Sequence, residues 1–299
     1  MKPIVRRIGY VVAALVLVLI TAAAAVYVAS ENKIASGITV PLAPITLPTD
    51  SASLARGRHL TGAIMKCMDC HGDDLGGFTI VENGAMGRWT GPNLTGGGLG
   101  ANRTDAEIAR AVRHGVDPKG RKLLLMPSKE YSYVSDSDLA AVVAHIRSLP
   151  SVDRTPGRIS YGPVLRGLIA FGIAPMFEAD LIDHARRPQP TPPEGPTAVY
   201  GAYISRIGGC QGCHGETLSG GTIPGGDPAW LPPSNLTPTG IGHYTEADFF
   251  TLLREGKRPV GAMVTADMPV KWTKEMTDDE IRAVWAFLRT VPPKEFGNR

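Results

Sequence analysis

The sequence predicts an all-α protein in which two tandem copies of one small domain follow an N-terminal transmembrane helix. Three observations carry this prediction: an apolar stretch opens the chain, the remainder repeats at an offset of about 142 residues, and helix-start signals recur in each repeat. Strand-like alternation is hard to find. We expect a signal anchor at 1–30, a tether at 31–49, domain 1 at 50–153, an interdomain linker at 154–196 and domain 2 at 197–299.

Composition restricts the class of protein. The chain has 299 residues, which leaves room for about two domains. Its hydrophobic content of 43% is too high for a disordered polymer. The net charge of +3 equals the contribution of Lys2, Arg6 and Arg7, so the rest of the chain is balanced. We therefore expect no nucleic-acid partner.

The N-terminal stretch has the features of a membrane helix. From Ile8 to Ser30 there is no Asp, Glu, Lys, Arg or His, and about 20 apolar residues suffice to span a bilayer. A cleaved secretory signal is the alternative, with an A-x-A site at Ala23 to Ala25. The three basic residues predict a cytoplasmic N-terminus. We expect a single-pass protein of the inner (cytoplasmic) membrane, with everything after Glu31 in the periplasm.

Two further segments lie outside the predicted domains. Prolines 41, 44 and 48 favour an extended tether. The linker ends in the proline-rich stretch 187–196, and it contains an apolar patch, Gly167 to Phe177. With 11 residues this patch is too short to span a bilayer, so we expect it to pack between domains or against the membrane surface.

Several motifs match between the two copies of the internal repeat. Shifting the chain on itself aligns, in order, Gly57 with Gly201, Cys67-Met-Asp-Cys70-His71 with Cys210-Gln-Gly-Cys213-His214, Asn93-Leu-Thr with Asn235-Leu-Thr, and Met126-Pro with Met268-Pro. The interval from His to Met is 55 residues in one copy and 54 in the other. Two copies of one domain account for this agreement.

Helix starts repeat as well. Thr104-x-x-Glu107 and Thr245-x-x-Asp248 have the form of capping boxes, as do Ser135-x-x-Asp138 and Thr277-x-x-Glu280 at the start of each last helix. Apolar residues then recur at helical spacing through 139–146 and 281–288. Each copy is thus predicted to be a small helical unit with loops rich in Gly and Pro.

The two Cys-x-x-Cys-His pentapeptides carry the chemistry. This pentapeptide is the attachment signature of c-type haem: both thiols form thioethers with the vinyl groups, and the adjacent imidazole binds the iron. We expect two haem c groups, on Cys67, Cys70 and His71, and on Cys210, Cys213 and His214. A shared zinc site is the alternative, although its pairs normally lie about 15 to 20 residues apart. A redox dithiol is another, but it needs a βαβ setting.

The sixth iron ligand is predicted from the repeat. Met126 and Met268 are equivalent, and each precedes a proline, so we expect them to be the second axial ligands. Met263 lies close enough in sequence to compete with Met268. The remaining histidines, which do not repeat, are expected in surface or packing roles rather than in a bis-His site: His59, His114, His145, His184 and His243.

These motifs resemble class I cytochrome c. Gly91-Pro92-Asn93-Leu94 is similar to that family's Gly-Pro-x-Leu loop, and the resemblance implies that the carbonyl of Pro92 accepts a hydrogen bond from His71. Asn93 and Asn235 would then lie in the supporting shell of each site. The second copy departs from the pattern, since Ser234 replaces the proline, and the 21 residues from His71 to Pro92 exceed the compact type.

Residues 50–299 also resemble the membrane-associated cytochrome c subunits of periplasmic alcohol and gluconate dehydrogenases, which typically have three such domains. The resemblance implies a non-enzymatic electron carrier that accepts electrons from a dehydrogenase or quinol-linked donor and passes them to a cytochrome or terminal oxidase. The alternative is a dihaem enzyme of the peroxidase or thiosulfate-oxidising type with one open iron. Basic residues before Met126 (Lys119, Arg121, Lys122) and Met268 (Lys257, Arg258) suggest basic docking rims.

Overall fold

The computed structural model describes residues 3–299, so Met1 and Lys2, the first of the three N-terminal basic residues, lie outside it. The described chain begins with α1 (Pro3–Ala35), whose most apolar window has a mean hydropathy of 2.8 and is entirely exposed. Among residues 3–299 it is the one helix long and apolar enough to cross a membrane. Its length and composition also fit a signal sequence, so anchoring stays a prediction.

The predicted tether is extended but lies along domain 1. After α1, the amide of Ile38 donates to the carbonyl of Gly120 (2.8 Å), and Arg110 donates to the carbonyl of Val40 (3.0 Å). Val40 is buried against Val116. The proline-rich segment is therefore held against the domain rather than acting as a free spacer.

Both copies contain the predicted helices, together with further helices that were not predicted. The helices of copy 1 are α2 (Ser51–His59), continued by a π-helical turn at Leu60–Ile64, then α3 (Met68–His71), α4 (Asp105–His114), α5 (Ser128–Tyr131) and α6 (Asp136–Ser148). Those of copy 2 are α8 (Ala198–Ile207), α9 (Cys210–His214), α10 (Pro238–Ile241), α11 (Glu246–Glu255), α12 (Val270–Thr273) and α13 (Asp278–Leu288). The predicted helices are α4 and α6 in copy 1 and α11 and α13 in copy 2. The segment Leu99–Asn102 of copy 1 is a 3-10 turn. The exact domain boundaries remain predictions.

The expectation of an all-α fold is incomplete, because copy 1 also contains a small sheet. Strands β1 (Phe78–Asn83) and β2 (Gly87–Gly91) form an antiparallel hairpin, and β3 (Ser160–Tyr161) from the linker pairs with β2. The hairpin fills most of the long stretch between His71 and Pro92. The sequence contains a signal for this hairpin, because the β-branched run 79–81 is followed closely by the turn-forming dipeptide Asn83-Gly84.

The first and last helices of each copy cross at a glycine. A Cβ on Gly57 of α2 would lie 2.0 Å from the carbonyl oxygen of Ala141 in α6. A Cβ on Gly201 of α8 would lie 1.8 Å from the carbonyl oxygen of Ala283 in α13. Only glycine permits backbones to approach this closely, which explains why the two glycines align in the repeat.

The linker contributes a further helix and a second apolar core. Helix α7 (Pro163–Phe171) packs on α1 and is followed by a 3-10 turn at Glu178–Leu181. Leu165 and Ile169 of α7 are buried against Trp89 of the hairpin and Ile34 of α1. The linker is thus a folded element attached to domain 1.

The two domains pack face to face through contacts that repeat with their roles exchanged. His59 of copy 1 lies 2.8 Å from a carboxylate oxygen of Glu280 in copy 2, while Tyr203 of copy 2 donates to Asp138 of copy 1 (2.7 Å). Asp138 and Glu280 occupy equivalent positions in the last helices. One apolar core contains residues of both copies. The domains are therefore related by an approximate two-fold axis.

Candidate functional site

The two cysteine motifs form short helices that end at a histidine. Helix α3 ends at His71 and α9 ends at His214, and the glycine after each has a positive φ of 80° or 83°. With ψ of 159° and 161°, these residues adopt an extended conformation of positive φ that glycine tolerates, and it ends each helix directly after the imidazole. All four cysteines are free, and burial raises the pKa of each thiol. A redox dithiol requires a lowered thiol pKa, so this environment disfavours that alternative.

Both histidines are held as neutral imidazoles. His71 and His214 are 7% and 8% exposed, and burial lowers the pKa of each ring. Nδ1–H of His71 donates to the carbonyl of Pro92 (2.8 Å), as the resemblance implied. Among residues 3–299, Nε2 of neither ring forms a hydrogen bond. The tautomer is thereby fixed with Nε2 unprotonated, which is the form that binds a metal.

Ser234 preserves this hydrogen bond in copy 2. Nδ1–H of His214 donates to the main-chain carbonyl of Ser234 at 2.7 Å. Because the acceptor is a backbone atom, the side chain at this position does not determine the bond. In copy 1 the backbone of this loop also lies close to the cysteine motif, since a Cβ on Gly91 would be 1.7 Å from the carbonyl oxygen of Cys70.

Asn93 and Asn235 fasten the loops that carry these carbonyls. The amide of Asn93 donates to the carbonyls of Val152 (2.7 Å) and Arg154 (3.0 Å), which follow the last helix of copy 1. The amide of Asn235 donates to the carbonyl of Lys294 (2.7 Å), which follows the last helix of copy 2. Each asparagine thus ties the loop behind the histidine to the end of its own domain.

Met126 and Met268 occupy equivalent local structures. The amide two residues after each methionine donates to its carbonyl at 2.7 Å, and Pro127 and Pro269 have similar backbone angles (ψ 54° and 59°). Both methionines are half-buried against the main core. A linker contact that the sequence did not predict supports the first one: the amide of Leu125 donates to the carbonyl of Met176 (2.9 Å).

Met263 has a different position. It is 63% exposed and forms an isolated β-bridge with Lys257, where the first copy has the equivalent bridge between Val116 and Lys122. Met263 therefore corresponds to Lys122 in the repeat, whereas Met268 corresponds to Met126. This equivalence favours Met268 as the ligand of the second site.

The other histidines have partners elsewhere. Nδ1 of His114 lies 3.0 Å from Nδ1 of His184, and His59 pairs with Glu280. His145 is buried within α6, and His243 lies edge-on to Tyr244. Within residues 3–299 no three His, Cys, Asp or Glu side chains are grouped in a way that could hold a metal ion.

The predicted basic rim near Met126 is largely neutralised. The Lys122 side chain is only 5% exposed and pairs with Asp180 (2.8 Å), and Arg121 pairs with Asp117 (2.6 Å). In the part of the chain that the structure describes, Lys257 and Arg258 beside Met268 form no ion pair. Positive charge is thus retained mainly beside the second site.

Each cysteine motif also touches the other domain. The indole N–H of Trp272, in α12 after Met268, donates to the carboxylate of Asp69 between Cys67 and Cys70. Lys66, which precedes Cys67, donates to the carbonyl of Gly208 just before the second motif. Both candidate sites therefore lie against the interface between the domains.

These residues fit haem c. Each domain presents two free thiols, a buried imidazole with an unprotonated and unpartnered Nε2, and a half-buried thioether on a separate loop. Thioether attachment with His and Met ligation requires these groups. The assignment of individual residues as ligands remains a prediction.

Comparisons with known proteins agree with this donor set. Residues 52–146 match the family model described as cytochrome C oxidase, cbb3-type, subunit III, and residues 198–292 match cytochrome c.

Several relatives are named as cytochromes. The cytochrome c subunit of quinone alcohol dehydrogenase from Gluconobacter oxydans is 36% identical over 107 residues, which cover 33% of this chain and 22% of that protein. The cytochrome subunit of fructose dehydrogenase from Gluconobacter japonicus is 30% identical over 85% of this chain, and the alignment spans 56% of that protein. A diheme cytochrome c-type protein of Cereibacter sphaeroides is 26% identical over 95% of this chain and 98% of its own length. Two tandem segments of the chain, 52–146 and 198–292, are therefore similar to cytochrome c domains.

Proposed function

We propose that the protein is a membrane-anchored periplasmic dihaem cytochrome c that relays electrons. Haem c is covalently attached at Cys67 and Cys70 in domain 1 and at Cys210 and Cys213 in domain 2. The observation that carries the proposal is the repetition, in both domains, of a neutral buried imidazole and an equivalent half-buried methionine. When bound, haem iron supplies the one-electron chemistry.

The chain's own residues would hold the haem of each domain. The hydrogen bonds from His71 to Pro92 and from His214 to Ser234 orient the imidazoles as proximal ligands. Met126 and Met268 would supply the second iron ligand in each domain, and an iron held by both residues would carry electrons rather than bind substrate. The relatives are cytochrome subunits, which also supports a carrier rather than an enzyme.

Relay within the chain is favoured by the position of both motifs at the domain interface. Trp272 of domain 2 contacts Asp69 within the first motif, and Lys66 of domain 1 contacts the backbone before the second motif. An electron entering one domain therefore has a path to the other through packed protein.

The partners follow from the relatives and from α1. Relatives named as subunits of alcohol, fructose and gluconate dehydrogenases support a dehydrogenase donor, with a quinol-linked donor as the alternative. A cytochrome or terminal oxidase is the acceptor. Helix α1 anchors the protein in the inner membrane by a single pass, with the haem domains in the periplasm.

Carbon monoxide binding to the fully reduced holoprotein tests the proposal. We expect the native protein to bind none, because both sixth positions are filled. Met126→Leu and Met268→Leu should each bind one equivalent and lower the potential of the affected haem. Met263→Leu is the matched control and should behave as the native protein. Stoichiometric binding to the native protein would instead support the dihaem enzyme.

A further inference from the structure

The depth of α1 in a bilayer is fixed by its sequence. A hydrocarbon core about 30 Å thick accommodates about 20 helical residues. The stretch Ile8 to Ser30, which lacks Asp, Glu, Lys, Arg and His, fills it, so Glu31 and Lys33 must lie among the headgroups. Tyr27 is then at the boundary, where aromatic residues are enriched in membrane proteins.

Helix α7 is attached to α1 at this same level. Arg166 of α7 donates to Ser30 (2.9 Å) and to the carboxylate of Glu31 (3.0 Å), and its guanidinium lies 4.2 Å from the ring centroid of Tyr27. Lys33 donates to the carbonyl of Ala170 (3.1 Å). Because these contacts join α7 to the last turns of α1, α7 lies at the height of the headgroups.

Apolar side chains project from this level without a protein partner to bury them. Leu165 and Ile169 fill the core below α7, but Phe171 is 70% exposed and Ile173 is 52% exposed. Burying either residue against water-excluding surroundings is favourable. The inward face of α7 is already covered by protein, whereas Phe171, Ile173 and also Val164 (49% exposed) are available to a further partner.

Domain 2 adds two more apolar residues to this region. Its loop 223–231 touches the linker, since a Cβ on Gly225 would lie 2.2 Å from Cβ of Ala174, the neighbour of Ile173. Within the loop, Trp230 is 46% exposed and Leu231 is 67% exposed. Two segments about 50 residues apart in sequence therefore meet at Gly225 and Ala174, and each has exposed apolar side chains within about six residues of that contact.

One unpaired arginine of the linker suits a membrane surface. From Arg154 to Phe177 the sequence contains three arginines and no Asp or Glu; Arg154 pairs with Asp74 (2.9 Å) and Arg166 with Glu31 (3.0 Å), whereas Arg158 forms no ion pair among the described residues. Arginine near the surface is attracted to anionic headgroups. A protein partner needs neither this height nor this continuity with α1, whereas a bilayer supplies both.

We propose that Phe171, Ile173, Trp230 and Leu231 form a juxtamembrane patch that inserts into the headgroup and acyl boundary of the bilayer. The patch gives the protein a second membrane contact beside α1. It fixes the orientation of the haem domains relative to the membrane, because it includes residues of the linker and of domain 2. This inference rests on the proposed anchoring role of α1.

The test uses the full-length holoprotein in vesicles of phosphatidylcholine and phosphatidylglycerol. Since haem attachment consumes the native thiols, one introduced cysteine gives one label site for an environment-sensitive fluorophore. The labelled variants are Phe171→Cys and Leu231→Cys in the patch, Leu17→Cys in α1, and Val199→Cys as the control. Val199 is 69% exposed, which matches Phe171. Quenching by bromine-bearing lipid tails is compared with quenching by iodide in the water.

We expect lipid quenching to exceed iodide quenching several-fold at positions 171, 231 and 17, and the reverse at 199. If position 17 reports lipid while 171 and 231 behave like 199, the patch is refuted and the anchor stands. If position 17 itself reports water, the anchoring role fails and the inference falls with it. The haem absorption spectrum of each variant verifies that it is folded.

Discussion

Replacing Gly57 with alanine tests the helix crossing that organises domain 1. The new Cβ would lie 2.0 Å from the carbonyl oxygen of Ala141, whereas such contacts essentially never fall below 3.0 Å. The helices must therefore separate by about 1 Å, and the oxygen belongs to the backbone, so it cannot rotate away. Overpacking of this kind costs about 1–3 kcal/mol. In a domain of about 100 residues, a loss of 2 kcal/mol lowers Tm by roughly 8–16 °C.

Thermal unfolding of the oxidised holoprotein, followed by far-ultraviolet circular dichroism, measures this effect. Gly62→Ala is the matched control, because its nearest neighbouring atom would be 3.9 Å away, and we expect its Tm to stay close to that of the native protein. Gly201→Ala should reproduce the loss in domain 2. A Gly57→Ala variant as stable as Gly62→Ala would show that the crossing does not require glycine.

Three other predictions follow from the site and the interface. Ser234→Ala should leave the reduction potential of the second haem unchanged, because the hydrogen-bond acceptor is a main-chain carbonyl. Asn235→Ala should shift this potential, because it releases the loop that carries the carbonyl. Potentiometry measures both variants, and equal shifts would contradict this account. Burial raises the pKa of Glu178 from 4.5 to about 7, so the folded state loses stability as pH rises through this range. The Tm of Glu178→Gln relative to native should therefore increase from pH 5 to pH 8, and a constant difference would argue against the shift. Glu280→Gln weakens a buried pair between the domains and should lower the free energy of unfolding in urea by up to about 3 kcal/mol. The control Glu246→Gln affects an exposed pair and should lower it little. Similar losses in the two variants would refute the distinction between buried and exposed pairs.

Local signals predicted the helices well. The capping boxes at Thr104, Thr245 and Thr277 are complete, with both hydrogen bonds present. Ser135 caps α6, but the reciprocal bond from Asp138 is missing. The carboxylate of Asp138 instead accepts hydrogen bonds from Arg56 and Tyr203. A tertiary contact here replaces a local one, which a sequence pattern does not reveal.

The linker and the hairpin were harder to predict. The sequence predicted packing of the apolar patch 167–177 but no helix there, yet α7 forms ahead of the proline-rich stretch because its apolar face has the hairpin and α1 to pack against. The strands β1 and β3 pair with β2 from opposite sides, and β3 is too short to be recognised alone. Pairing partners distant in sequence determine these elements.

The sequence by itself determined the repeat, the starts of four helices and the candidate haem-binding residues, because covalent attachment and local capping depend on residue types at short spacing. Only the tertiary structure decided that Ser234 serves as well as Pro92, that Met263 lies in the place of Lys122, and that both cysteine motifs meet at the domain interface. The position of a backbone carbonyl next to a histidine, and the packing of one domain on the other, depend on how segments distant in sequence approach each other. Neither produces a recognisable pattern in the amino-acid sequence.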